Sequence, residues 1–147
     1  MIKQATEPGG CFFAFLVEHR IFHQYDSLVV EHKILANYLY AIWARDQTSA
    51  TIAAGYKRIL LYLRRERCQR LLDNHEAIHG YWAVSADWLS QDWHPRARQA
   101  DLKNHAVVYA TDILARRSTE EALQGIAGGS VAGFVDLAMA RQVMLRS

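Results

Sequence analysis

The spacing of apolar residues changes its period at Asp46. Before it, SLVVEHKI and YLYAIWAR are short runs rich in aromatic and β-branched residues; after it, TSATIAAGYKRILLYLRRER places Ile52, Tyr56, Ile59, Leu60 and Leu63 at helical spacing behind a Thr48 or Ser49 cap. A chain that passes from strand period to helix period within a few residues must bury one face of each element. That restricts it to helices lying on a sheet.

The alternation continues to the C-terminus. Ser27 to Ile34 and Tyr38 to Arg45 read as a hairpin across Leu35-Ala36-Asn37. The helix after Thr48 ends near Arg67, and CQRLLDN reads as a buried strand closed by Asp73 and Asn74. A second helix starts at Ser85 with Trp88, Leu89 and Trp93 on one side, until Pro95 kinks or restarts it. HAVVYATDIL, His105 to Leu114, is the clearest central strand, and STEE, Ser118 to Glu121, reads as a capping box opening a third helix through Ile126. Gly128-Gly129 then turns the chain into the short strand VAGFVD, and DLAMARQVML closes it as a helix. The order β-β-α-β-α-β-α-β-α implies an α/β fold: a mostly parallel sheet with an N-terminal β-hairpin and covering helices. Residues 1–24 read as an N-terminal extension, broken at Pro8-Gly9-Gly10 and able to add an extra edge strand, and residues 25–147 as a single domain.

Composition narrows the class of function. With 51% hydrophobic residues in 147, the chain can bury a core without disulfides or a structural metal. Its 17 Lys plus Arg against 15 Asp plus Glu leave a net charge of +2, too even for a nucleic-acid footprint, and LRRERCQR reads as the solvated end of a helix. Cys11 and Cys68 form no C-x-x-C pair, which fits a reducing cytoplasm. CFFAFLV, Cys11 to Val17, is too short to span a bilayer and makes a poor secretion signal.

One stretch, HEAIH from His75 to His79, spells the zinc-protease signature H-E-x-x-H. Its chemistry needs a helix, which stacks one imidazole above the other, with Glu76 as the base that activates a metal-bound water and a third ligand from Asp92, His94 or Glu120. Here the stretch follows a strand, Asp73 stands where an uncharged residue is usual, and Ser85 occupies the position of the extended motif's further His. HEAIH therefore reads as a strand-end loop whose histidines do not share a metal. No cofactor motif is found either, since Gly128-Gly129 precedes a strand rather than a helix.

From about Asp26 onward the chain resembles a group of small bacterial proteins classed as STAS-like, after the anti-sigma-factor antagonist domain and linked to CRAL-TRIO lipid-binding domains. The residues that carry the resemblance are YLYAIWARDQTS, Gly55-Tyr56, LLDN, GYW at Gly80 to Trp82, DWLSQDWHP, HAVVYATD and FVDLAMARQVML. The resemblance implies a non-enzymatic domain that regulates or signals through protein contacts in the cytoplasm. It also implies that binding centres on the loop after the third strand and the following helix start, here Asp73, Asn74, His75, Gly80, Trp82 and Ser85. The phosphorylated Asp-Ser-x-Gly motif of such domains is absent, so Ser85 also reads as a plain N-cap. A homodimer is expected, joined through the aromatic stretch CFFAFLVEHRIF. The alternative from the same resemblance is a small-ligand or lipid-binding module using apolar space beside the Trp-bearing helix.

Overall fold

The computed structural model describes residues 19–25, 27–127 and 131–146. Strands β1 (His19–Tyr25), β2 (Leu28–Lys33) and β3 (Tyr38–Asp46) form an antiparallel meander. From β3 the pairing turns parallel through β4 (Arg70–His79), β5 (Asn104–Val108) and β6 (Val131–Phe134), so the six strands lie in the sheet in chain order. The hairpin between β2 and β3 closes at Asn37, whose φ of 53° is left-handed, a conformation asparagine tolerates better than other side chains do. Pro8-Gly9-Gly10, CFFAFLV and Gly128-Gly129 lie outside the described residues.

Each parallel step is bridged by a helix. Helix α1 (Ser49–Glu66) joins β3 to β4; its N-cap Thr48 and Thr51 exchange hydrogen bonds in a capping box, and Arg67 ends it in the left-handed conformation. Between β4 and β5 runs α2 (residues 86–99), an α turn Ala86–Trp88 followed by π-helical Leu89–Trp93 and α-helical His94–Gln99. Pro95 has no N–H to give, and the π stretch just before it lets the helix continue instead of stopping. Helix α3 (Ile113–Gln124) joins β5 to β6, and α4 (Leu137–Arg146) follows β6. Among the described residues no helix is long and apolar enough to cross a membrane.

The crossovers all step the same way across the sheet, so their common hand puts α1, α2 and α3 on one face. There Ile52, Ile59 and Leu63 of α1 pack with Trp93 and Ala97 of α2 and Ala115 and Ala122 of α3 over Leu39, Trp43 and Leu71 of the sheet. On the other face α4 alone supplies Ala140 and Met144 to a smaller core with Tyr38, Tyr40, Leu72, Ala106 and Val108. Cys68 is buried beside the larger core, where burial and then the charge of Glu66 push its thiol up to about 11.

Three local expectations are corrected. HEAIH is not a loop: β4 runs on through His79, because Ala77, Ile78 and His79 pair with Ala44, Arg45 and Asp46 beyond a register shift. The strand read from His105 to Leu114 stops at Val108, and α3 starts at Ile113 behind Asp112, whose Oδ2 accepts from the Ala115 N–H at 3.0 Å. Ser118 and Thr119 of the supposed capping box therefore lie inside α3, where they bond back to the carbonyls of Leu114 and Ala115. The aromatic stretch expected at a dimer contact is described only from His19 on. In its described part Phe22 sits in β1 against the larger core, with its ring centroid 5.1 Å from that of Tyr62.

Candidate functional site

The sequence LLDN places a carboxylate inside an apolar strand, and the strand's two-residue period turns Asp73 and His75 to the same face, under α1. Asp73 is completely buried. Its Oδ1 accepts from Trp43 Nε1 of β3 at 2.7 Å and lies 3.3 Å from His75 Nε2. Its Oδ2 accepts from the Tyr56 hydroxyl of α1 and from His105 Nε2 of β5, the latter at 2.9 Å. Burial pushes the Asp73 carboxyl upward, but its electrostatic interaction with His75 and the hydrogen bonds from His105 and His75 more than reverse this, so it ionises well below the usual carboxylate range. The Tyr56 hydroxyl is pushed up by burial and by that carboxylate, which keeps it a donor.

His75 continues the network. Thr119 Oγ1 gives its hydrogen to the Ala115 carbonyl, so at 3.0 Å it accepts from His75 Nδ1. Asp73, His75 and Thr119 thus stand in the order carboxylate, imidazole, hydroxyl that activates nucleophiles elsewhere. Access decides against that chemistry, because Thr119 is 2% exposed and its hydrogen is committed to its own helix. What the arrangement does is hold a charge in the core by surrounding it with donors from three strands and a helix.

The zinc alternative fails on geometry. Four residues along a strand span about 13 Å, and a bulge in β4 itself, where His75 and Glu76 stand against the single residue Trp43 of β3, intervenes. His75 is buried under α1 while the His79 side chain is 61% exposed, 3.9 Å from Asp112. Among the described residues no three His, Cys, Asp or Glu side chains group to hold a metal.

Comparison of the chain with protein-family models, with curated proteins and with solved structures finds no match. The site must therefore be read from its own residues. Of the six positions expected to form a binding surface, five are interior: Asp73, Asn74, His75, Trp82 and Ser85. Asn74 faces the smaller core, donating to the Tyr40 hydroxyl at 3.1 Å and accepting from the Glu76 N–H at 2.9 Å where the register shifts. Ser85 does not cap; its hydroxyl donates to the Ser49 carbonyl at 2.9 Å and ties the loop to the start of α1. Trp82 is buried against the His75 ring, and its backbone N–H donates to Ser118 Oγ at 2.9 Å.

Gly80 alone is part-exposed, and it marks where the surface begins. Its φ of 98° is one that side chains rarely adopt, and its N–H donates to Asp112 Oδ2 at 3.1 Å. That bond fastens the loop after β4 to the start of α3. Around it stand Tyr81, Val84, Ile113 and Leu114, which are 50%, 81%, 73% and 51% exposed. Of these four only Tyr81, within GYW, was singled out in the sequence, because exposed apolar residues carry no periodic signal. The group sits at the C-terminal ends of the parallel strands, where α/β sheets commonly bind.

Two residues missed as a pair are His94 and His105. Their rings stack with centroids 5.8 Å apart and planes 13° from parallel. His94 Nε2 and His105 Nδ1 are buried and make no hydrogen bond among the described residues. Burial and the charges of His105 and Arg98 push His94 down to about 4.

Proposed function

We propose that this chain is a non-enzymatic, STAS-like domain that works through protein contacts made at the C-terminal edge of its parallel strands. The observation that carries the reading is the group Tyr81, Val84, Ile113 and Leu114, four large apolar side chains at least half exposed and held together by the Gly80 to Asp112 bond. Solvated apolar side chains gathered on the segment after β4 and on the first turn of α3 are what an interface core requires. The loop after β4 is also the region that the family resemblance assigns to binding. The alternation of strands and helices from β2 onward supports the reading, and so does the Asp73 network, whose polar groups are buried and bonded to one another.

The partner is best sought as a protein with a complementary apolar face, a second copy of this chain included. The test is the pair Val84→Glu and Ile113→Glu, examined by sedimentation for self-association and by quantitative pull-down against the unaltered chain. Folded variants should lose the dimer or a recovered partner. If mass and recovered proteins both stay the same, the edge does not dock proteins.

A further inference from the structure

We propose that the cleft between α2 and the segment just beyond α3 binds a small oxyanion, a carboxylate or phosphate group carried by a metabolite, held between His94 and the guanidinium of Arg98. The inference is independent of the docking edge, which lies elsewhere on the molecule. The cleft encloses about 280 Å³, with Ser90, Gln91, His94 and Arg98 on one wall and Gly125 and Ala127 on the other. Such a volume suits a metabolite's charged end rather than a large apolar molecule.

The chemistry follows from which groups are already committed. Two carbonyls of the wall beyond α3, which would repel an anion, are occupied: Gln91 Nε2 donates to the Gly125 carbonyl at 3.0 Å and Arg98 Nη1 to the Ala127 carbonyl at 3.1 Å. A guanidinium carries five N–H donors, so this tether orients Arg98 and leaves a two-pronged edge for an oxyanion. His94 is 1% exposed, and its Nε2 makes no hydrogen bond among the described residues. The charged and titratable groups around it are Arg98 of its own helix, His105 stacked from β5, and Asp73 behind His105 on β4. Asp73 is committed to its own four donors, and Asp92 pairs with Arg96 at 3.4 Å. Arg98 thus has no carboxylate partner among the described residues, and an anion in the cleft supplies its counter-charge beside the unbonded His94 Nε2.

Two features of the backbone shape the cleft. The π-helical turn carries Ser90 and Gln91, and such turns recur at functional sites because they displace side chains from the helical register. Opposite it, a Cβ on Gly125 would stand 2.6 Å from Ser90 Oγ, so only glycine lets the two walls approach this closely.

The test is an amide NMR titration of the whole chain with sulfate, an oxyanion whose charge is constant between about pH 5 and pH 8, against chloride at equal ionic strength. Sulfate should give saturable shifts at residues 90–98 and 125–127 that chloride does not. Arg98→Met, at an exposed position and so safe for folding, should weaken binding by about tenfold or more. Binding should be several-fold tighter at the lower pH, because an anion favours protonated His94, and His94→Gln should abolish that pH dependence. If His94→Gln does not fold, the ring resonances of His94 in the unaltered chain give the same reading by titrating higher in sulfate than in chloride. Inorganic phosphate and acetate then assign the group by which saturates the shifts at lower concentration. Shifts that stay linear, that chloride reproduces, or that Arg98→Met leaves unchanged would overturn the proposal.

Discussion

The centre around Asp73 and the edge around Tyr81 invert the usual distribution of side chains in opposite ways. At the centre polar groups are inside: a carboxylate, two imidazoles, a phenol, an indole and a hydroxyl meet under α1 and answer one another. At the edge apolar groups are outside, with Tyr81, Val84, Ile113 and Leu114 facing water. The first inversion is tolerable because every oxygen of Asp73 is bonded, and a buried charge is stable only when so surrounded. The second has no such compensation among the described residues. That contrast is the ground on which the edge, and not the centre, is proposed to dock a partner.

The comparison breaks most sharply at Asp73. Replacing it in Asp73→Ala leaves the donors of Trp43, Tyr56, His75 and His105 buried and unmatched, and the chain should lose about 3–5 kcal/mol in urea denaturation. Asp73→Asn should recover part of that loss by keeping an acceptor. A loss under about 1 kcal/mol for the alanine variant would mean that the network does not hold the core.

Gly55→Ala attacks the same centre from one side. The new Cβ would fall 2.3 Å from Trp43 Cη2, displacing the indole that donates to Asp73. Overpacking of this kind costs about 1–3 kcal/mol, and the tryptophan fluorescence should shift with it. Unchanged fluorescence and stability would show that the indole has room to move.

Acid sharpens the contrast further. His94 titrates at about 4 when folded, below the ordinary histidine value of about 6.5, so the unfolded chain takes up the proton first. Stability should therefore decline as pH falls from about 6.5 toward 4, and His94→Leu should flatten that slope. The lowered Asp73 acts in a lower window: its contribution is complete above about pH 4, the unfolded value, and is lost as pH falls below it toward the depressed folded value. Stability that stays level from pH 6.5 to 5 in the unaltered chain would contradict the His94 assignment.

The edge should respond least in stability. Val84→Glu and Ile113→Glu should change the denaturation midpoint by no more than about 0.5 kcal/mol of stability, while abolishing association. A large loss of stability would place these residues with the core.

Some of this architecture is written in short stretches of chain. The helical return of Ile52, Tyr56, Ile59 and Leu63 behind Thr48, and the turn at Asn37, each depend on a few neighbouring residues and match the structure closely. The end of β4 was hidden because HEAIH is polar, and polar residues extend a strand only when its neighbours are there to pair with them. The start of α3 was misread because Ser118 to Glu121 spells a cap equally well inside a helix. The candidate site was half legible. Asp73, His75, Trp82 and Ser85 were expected at a site from the resemblance, but with HEAIH read as a loop the shared face of Asp73 and His75 was out of sight.

The amino-acid sequence by itself determined the α/β class, the hairpin and the first helix, because period and capping are properties of residues a few positions apart. Only the tertiary structure decided which polar residues would meet. Asp73 finds Tyr56, Trp43 and His105 across 17, 30 and 32 residues of chain, and His75 finds Thr119 across 44. Those meetings depend on sheet register, on a bulge in β4 just after Asn74, and on crossovers that stack three helices on one face. None of these is a local property, and each sets whether a side chain ends inside with partners or outside without them.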